Sequence, residues 1–227
     1  RLLFGDHVHR HFFNGGQFYV DPGNPIYNPA FPERNRPAEL FMNRLNDILP
    51  GPMVAESARW GDTGQTGSPA GYVPLTIGGH LRDQLDRLLG NRRKTSPSVH
   101  NNVWNFFPTR SGIAFGQISN INLYPTVIAP SFIQHGGRVP SGFNLVMTAP
   151  APTIYYTTNG VDPRVYGSGK VSSQAVAYEG SPAVLNTTTL VKARVRAGAV
   201  WSALTEALFI VEDLTVPLRI TEIMYDP

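Results

Sequence analysis

LVKARVRA, residues 190–197, is the stretch that decides the fold of the second half of this chain. Its apolar residues alternate with Lys192, Arg194 and Arg196, which is the period of a β-strand with one face in a core and the other in solvent. FNLVMT, residues 143–148, alternates in the same way. Both stretches therefore predict half-buried strands. The spacing of Gly, Pro and Asn turns predicts further strands at 152–158, 175–179 and 203–211.

The first part of the chain has a helical period instead. Phe4, Val8 and Phe12 recur every four residues, as on one face of a helix. The Asn-Gly-Gly run at 14–16 favours the left-handed backbone that ends a helix. A first helix is therefore predicted to end at this run.

Three more helices are predicted before the strands begin. One starts at Pro37, a residue that suits a first helical turn, and ends before residue 50. The next runs from a Thr76 cap to Gly90, and a short fourth helix is predicted over 99–107. The buried face of the Pro37 helix is predicted to be Phe41, Leu45, Ile48 and Leu49.

The period changes from helical to strand-like in LYPTVIAP, residues 123–130. The predicted fold class is therefore α+β multidomain, with a mostly helical N-terminal segment followed by an antiparallel β-sandwich of the immunoglobulin and fibronectin III type. The predicted domains are 1–122 for the helical segment, 123–213 for the sandwich and 214–227 for the first strand of a further domain. Because the chain opens with Arg1 and closes on a strand without a partner, we expect both ends to be internal points of a longer protein.

Composition argues against several classes of function. The 227 residues include 19 Lys and Arg against 16 acids, a formal net charge of +3. Only the run at 92–94 clusters basic residues, so nucleic-acid binding is not expected. The absence of Cys excludes disulfides, thiolate zinc sites and a cysteine nucleophile. No apolar run approaches the roughly 20 residues that span a bilayer, so no membrane span is predicted.

Histidines near the N-terminus and one charged motif are candidates for chemistry. His7 and His11 would share a helix face, but neither they nor His9 has a natural third ligand nearby, so we prefer surface or boundary histidines over a metal site. Glu56 and Arg59 of ESARWGD are best explained as a structural pair beside a Trp. The functional alternative places them on the rim of a catalytic cleft.

The remaining motifs predict turns. Asp162 and Asp226 each precede Pro, which favours a turn over a calcium ligand. The Gly pairs at 15–16, 78–79 and 136–137 lack the fingerprint of a phosphate-binding loop, and no nucleophile elbow is present. The sequence therefore predicts no catalytic residue, cofactor or metal.

Four aromatic side chains are candidates for a sugar-binding platform: Tyr155, Tyr156, Tyr178 and Trp201. Adjacent residues of a strand face opposite ways, so Tyr155 and Tyr156 cannot lie on one face. Carbohydrate binding would therefore use Tyr155, Tyr178 and Trp201. The alternative is that half of the set fills the core.

Two stretches of the strand-rich part resemble a known module. IYYTTNGVDPR, residues 154–164, has a strand ending in Tyr-Thr, an Asn-Gly turn and an Asp-Pro step. LVKARVRAGAVWSALTEALF, residues 190–209, has a Lys-Ala-Arg strand. The combination resembles the chitobiase/β-hexosaminidase C-terminal type of module, with Asn159 where that family more often has Asp. The resemblance implies a fibronectin III-like sandwich.

Other stretches resemble neighbours of such modules. HRHFFNGG (9–16), VAESARWGD (54–62) and LYPTVIAPSFIQHGG (123–137) resemble the region that follows the catalytic core of CotH kinase-like bacterial proteins. LRITEIMYDP (218–227) resembles the opening strand of a lamin-tail domain. In such a kinase the acidic metal ligands and the nucleotide pocket lie in the core, which by this alignment precedes Arg1.

The resemblance implies a non-catalytic connector in a large secreted or cell-surface bacterial protein, with neighbouring domains of the same polypeptide as its partners. Two alternatives stay open. One is an accessory part of a CotH-type protein kinase whose active site lies upstream. The other is a carbohydrate-binding module for a cell-surface polysaccharide. A cell-surface protein is a further candidate partner.

Overall fold

The structure is a computed structural model that describes residues 1–48, 89, 106–150 and 153–212. Over these residues it has a few helices and a C-terminal region rich in antiparallel strands, which makes it an α+β protein. The chain divides into two compact units, one holding residues 1–9 together with those from 122 onward, the other holding residues 10–121. The sequence did not predict that residues 1–9 belong with the strands.

The described helices are α1 (Leu2–Phe12), a 3₁₀ turn (Pro32–Arg34), α2 (Arg36–Ile48) and α3 (Phe106–Asn120), and Leu89 lies in a further helix. α1 ends as predicted, because Asn14 and Gly15 have φ angles of 53° and 79°, in the left-handed region. Among the described helices, none has the length and apolar character that a bilayer crossing requires.

α2 begins one residue before Pro37, the predicted start. Oδ1 of Asn35 accepts a hydrogen bond from the amide of Ala38 at 3.1 Å, which caps the N-terminus of the helix. Ala38 is fully buried, whereas Phe41 and Leu45 of the predicted apolar face are half-buried. The position of this helix is therefore confirmed, and the side chains of Ile48 and Leu49, the rest of the predicted face, lie outside the described part of the chain.

Part of the helical prediction lies outside the described residues, namely Leu49, residues 99–105 and all of the 76–90 helix except Leu89. Leu89 is helical and buried. The predicted fourth helix is wrong in its C-terminal end, since α3 (Phe106–Asn120) continues past residue 107 to Asn120. Gly112 and Gly116 interrupt the apolar period of α3. Each also disfavours a helix by about 1 kcal/mol relative to alanine, so the sequence pattern indicated this helix only weakly.

The described strands are β1 (Ser131–Phe132), β2 (Gly137–Pro140), β3 (Phe143–Leu145), β4 (Met147–Thr148), β5 (Thr153–Thr157), β6 (Val176–Tyr178), β7 (Ala183–Leu185), β8 (Thr189–Ala197), β9 (Val200–Trp201) and β10 (Thr205–Glu212). Each stretch that the sequence predicts to be a strand contains one. β1, β2, β7 and β9 were not predicted, because so few residues cannot show an alternating period.

The strands form one six-stranded sheet and two two-stranded ladders. In the large sheet the order is β2, β10, β8, β5 and β6, with β9 paired to β8. The small ladders are β3 with β7 and β1 with β4. All pairs are antiparallel except β2 with β10, which is parallel, with Gly137 opposite Phe209 and Pro140 opposite Glu212. The predicted antiparallel arrangement needs this one correction, because a side-chain period carries no information on strand direction.

One face of the large sheet carries the core of the strand-rich unit. Val191, Ala193 and Val195 of β8 are 0% exposed, as are Leu145 of β3 and Phe209 of β10. They belong to one apolar cluster that draws residues from β2, β3, β4, β5, β7, β8 and β10. The inward-facing residues predicted for β8 are therefore confirmed, and the opposite face of this strand is left for polar side chains.

Candidate functional site

Arg194 lies on the face of β8 opposite the apolar core, where the sequence predicted a side chain in solvent. It is instead 1% exposed. Two carboxylates cover it, Asp6 from α1 and Asp162 from the segment that joins β5 to β6. They lie 188 and 32 residues away in the sequence, so only the fold can bring the three together.

Every N–H group of the Arg194 guanidinium has an acceptor. Nε donates to Oδ1 of Asp162 at 2.7 Å, and Nη2 donates to Oδ2 of Asp162 at 2.6 Å. Nη1 and Nη2 donate to Oδ1 and Oδ2 of Asp6 at 2.8 and 2.7 Å. Nη1 also donates to the carbonyl oxygen of Ser202 at 2.9 Å. These bonds use all five N–H donors that an arginine side chain has.

The two carboxylates are themselves held by backbone amides. Oδ1 of Asp6 accepts from the amide of Leu204 at 2.8 Å. Oδ1 of Asp162 accepts from the amide of Arg164 at 2.9 Å, which is the turn predicted for an Asp that precedes Pro163. Asp6 therefore ties the first half of α1 to β8 and to the backbone at Leu204.

The charges of the cluster are stabilised by one another. Burial would raise the pKa of Asp162, but the hydrogen bonds and the charge of Arg194 outweigh burial and lower it. Burial would lower the pKa of Arg194, but its hydrogen bonds to Asp162 and Asp6 raise it. A guanidinium with every donor in use has none to offer a phosphate or carboxylate ligand. The cluster is therefore suited to joining α1 and the β5–β6 segment to the sheet.

A second buried polar group, His9, joins α1 to the strands. His9 is 6% exposed, with Nδ1 2.8 Å from Oη of Tyr124 and Nε2 3.1 Å from Oγ1 of Thr205. The hydroxyl of Thr205 donates to the carbonyl oxygen of Pro130 at 2.7 Å. Since a hydroxyl has one proton, Oγ1 of Thr205 accepts from Nε2–H of His9, and Nδ1 of His9 accepts from Tyr124.

This arrangement requires His9 to be neutral. Burial, the largest cause, and the neighbouring His135 together lower the pKa of His9 to about 4. Burial raises the pKa of Tyr124, so its phenol keeps the proton that it donates. At neutral pH an uncharged chain of hydrogen bonds therefore runs from Tyr124 through His9 to the strands.

The structure brings Tyr155 and Trp201 together, two of the three predicted sugar-binding residues. Their ring centroids lie 5.8 Å apart. Trp201 is 5% exposed, donates Nε1–H to the carbonyl oxygen of Gly169 at 2.8 Å, and has the guanidinium of Arg196 over its ring at 5.5 Å. One face of the indole is thus covered by a cation and its polar edge is used within the protein.

Tyr178, the third predicted sugar-binding residue, lies on the other face of the sheet. It is opposite Ile154 in the register of β5 and β6, and its ring contacts Tyr156 with centroids 6.3 Å apart. Tyr156 and Tyr178 both pack against the apolar cluster. Tyr155, Tyr178 and Trp201 therefore do not form one platform, and carbohydrate binding stays a prediction.

The N-terminal histidines do not converge. His7 is exposed, His9 is bonded at both ring nitrogens, and the ring of His11 contacts that of Phe18 with centroids 6.2 Å apart. Over the described ranges, no group of three or more His, Cys, Asp or Glu side chains is placed to hold a metal ion. The motif with Glu56 and Arg59 lies outside those ranges, as do the Gly pair at 78–79 and residues 218–227 with Asp226.

Sequence reasoning did not identify Arg194, Asp6 or Thr205 as members of buried polar groups. One signal was available for Arg194. The acidic residue of the Asp-Pro step and the basic residue of the Lys-Ala-Arg strand carry opposite charges and lie only 32 residues apart. No local signal points to Asp6, since the sequence distance to its partner is 188 residues.

Comparison of the chain with protein-family models, with curated proteins and with solved structures gave no match.

Proposed function

We propose that this chain is a non-catalytic connector in a large secreted or cell-surface bacterial protein, and that its strand-rich unit is a fibronectin III-like sandwich. The observation that carries the connector proposal is the parallel pairing of β2 with β10. Along the chain, β2 is the first strand of the large sheet and β10 is the last. The resemblance to CotH-kinase and lamin-tail architectures supports the proposed location and the neighbouring domains as partners.

The strand pairing supports the sandwich. In immunoglobulin-type domains strands C, F and G lie side by side in one sheet, and strands B and E belong to the other. Here β5, β8 and β10 are neighbours in the large sheet, and β3 pairs with β7. In chain order, β3, β5, β7, β8 and β10 thus correspond to B, C, E, F and G. The apolar cluster shared by the small ladder and the large sheet supports two packed layers.

The parallel pair suits a connector because of how it takes up force. β2 and β10 run in the same direction over four paired positions. A force applied at the start of β2 and at the end of β10 pulls these two points in opposite directions. The strands must then slide along each other, so all ladder hydrogen bonds resist at once. An antiparallel pair pulled at its open end would lose them one after another.

The Arg194 cluster adds a second reason. Its charged groups bind one another and hold three separate parts of the chain, through Asp6, Asp162 and the strand itself. Partly buried ion pairs with complete hydrogen bonding fix one arrangement of the elements that carry them. A rigid unit that transmits position is what a connector between domains requires.

Single-molecule stretching of the full chain between a point just before β2 and the end of the chain tests the connector proposal. The chain has no Cys, so Ile133→Cys, at a position that is 72% exposed, and one Cys added after the last residue give unique attachment points. The amide of Val211 donates to Thr188 on the β8 side, so the amide of Ile210 points toward β2. Ile210→Pro removes that donor, whereas Ile210→Ala removes only a side chain that is 42% exposed.

We expect Ile210→Pro to lower the unfolding force clearly, and Ile210→Ala to leave it near that of the wild type. Leu145→Ala, which weakens the core and not the ladder, serves as a control for lost stability. It should reduce the free energy of unfolding with a smaller loss of force than Ile210→Pro. Equal unfolding forces for Ile210→Pro and Ile210→Ala would contradict the proposal.

One observation favours carbohydrate binding as a second candidate. Trp201 and Tyr124 line a cavity of about 310 Å³, at the lower end of the size of small-ligand sites. Val200, which is 49% exposed, lies on its wall. Saturable binding of a polysaccharide that Val200→Arg abolishes would favour this candidate, and no binding at millimolar sugar would remove it.

The kinase-accessory alternative is tested by ATP-dependent labelling of the longer protein.

A further inference from the structure

The hydrogen-bonded group of His9, Tyr124 and Thr205 fastens the first half of α1 to the strand-rich unit. We propose that protonation of His9 weakens the docking of residues 2–9 on the strands, so that this group is an acid-sensitive latch. The inference concerns this contact alone and does not depend on the connector function.

The hydrogen bonds of the latch are those of neutral His9, in which Nδ1 accepts from the hydroxyl of Tyr124. The single proton of Thr205 is used on the carbonyl oxygen of Pro130. Thr205 can therefore only accept from Nε2–H of His9, which leaves Nδ1 of His9 to accept from Tyr124. A proton on Nδ1 turns this acceptor into a donor, so the O–H of Tyr124 must rotate away. The added charge would also lie on a side chain that is 6% exposed.

On balance, the charged and titratable groups around His9 favour its neutral form, as burial does. Arg194, on β8, and His135, which precedes β2, both disfavour a positive charge on His9. Asp6, one turn earlier in α1, favours it. Both oxygens of Asp6 are already bonded to Arg194, however, which reduces what Asp6 can offer to a second cation. Tyr124 stays uncharged, because burial raises its pKa.

The direction of the pH effect follows from the lowered pKa of His9. The folded chain binds this proton only near pH 4, whereas an unfolded chain binds it near the ordinary 6.5. The contribution of the latch is therefore complete above pH 6.5 and is lost as the pH falls toward 4. Over that interval the ratio of docked to released chain should fall by roughly 10²- to 10³-fold.

Comparison of His9→Gln with the wild type tests the latch. The Gln side chain has a donor nitrogen and an acceptor oxygen but no proton to gain. His7→Gln is the matched control, since His7 lies on the same helix and is exposed. Urea unfolding between pH 8 and pH 4 should show the wild type and His7→Gln losing stability in parallel. His9→Gln should lose less, by roughly 10²-fold or more in the unfolding equilibrium. The same pH dependence in all three proteins would overturn the proposal.

Nuclear magnetic resonance of the wild-type chain gives a result even if His9→Gln fails to fold. The ring of His9 should remain neutral at pH 5.5. The amides of α1 should lose protection from hydrogen exchange between pH 6 and pH 4, after correction for the intrinsic rate. A His9 ring that gains its proton near pH 6.5 while these amides stay protected would contradict the latch.

Discussion

Asp162 and Arg194, 32 residues apart in the sequence, face each other through two parallel hydrogen bonds, from Nε to Oδ1 at 2.7 Å and from Nη2 to Oδ2 at 2.6 Å. The bonds link the Asp-Pro step to the Lys-Ala-Arg strand, two motifs that the sequence analysis singled out. Within this chain both motifs thus contribute to one structural feature, the closing of the β5–β6 segment onto β8.

Arg194→Met should lower the free energy of unfolding by about 3–5 kcal/mol, because it leaves the largely buried carboxylate of Asp6 and the partly buried one of Asp162 without a counter-charge. Urea denaturation at pH 7 measures the loss. Arg44→Met, at an exposed position of α2, should change stability by no more than about 0.5 kcal/mol. A loss below about 1 kcal/mol for Arg194→Met would mean that the cluster contributes little.

Asp162→Asn should lower stability by about 1–2 kcal/mol at pH 7, a modest value because the Asp162 side chain is 33% exposed. The lowered pKa of Asp162 means that its contribution is present above the ordinary value of 3.8 and is lost as the pH falls through the lowered one. Unfolding curves should therefore show a constant difference between variant and wild type from pH 7 to about 4, and a closing difference below. A difference that closes between pH 7 and 5 would contradict this assignment.

Leu145→Ala should lower the free energy of unfolding by about 2–5 kcal/mol, because Leu145 of β3 is fully buried and its removal leaves a cavity in the apolar cluster. Val184→Ala, on the neighbouring strand β7 and 56% exposed, should cost no more than about 0.5 kcal/mol. Thermal and urea unfolding of both variants checks the contrast. Similar losses for the two would show that the small ladder is not packed on the sheet through Leu145.

Gly136→Ala should destabilise the protein by more than Gly142→Ala. Both glycines have a φ in the left-handed region, 72° and 79°, where an alanine is strained by about 1–2 kcal/mol. A Cβ on Gly136 would also lie 2.8 Å from the carbonyl oxygen of Leu208, whereas one on Gly142 would meet nothing within 4 Å. The difference between the two losses in urea unfolding isolates this clash. Equal losses would mean that β10 can move aside near Leu208.

The strands and the first two helices could be predicted because their signal is local. In β8 the apolar side chains at every second position are the buried ones, and Asn14 with Gly15 ends α1 where the sequence indicates. α3 could not be delimited, since Gly112 and Gly116 weaken its period. For the candidate site, the turn at Asp162 was predictable and its bond to Arg194 was not.

The sequence by itself determined which strand side chains face the core and where the backbone turns. Both depend on a few neighbouring residues, since side chains alternate along a strand and a left-handed φ favours Gly or Asn. Only the tertiary structure decided that β2 lies parallel to β10, that Arg194 is buried, and that residues 1–9 join the strands. A charge is stable in a protein interior only beside opposite charges and acceptors, and here one of those partners lies 188 residues away.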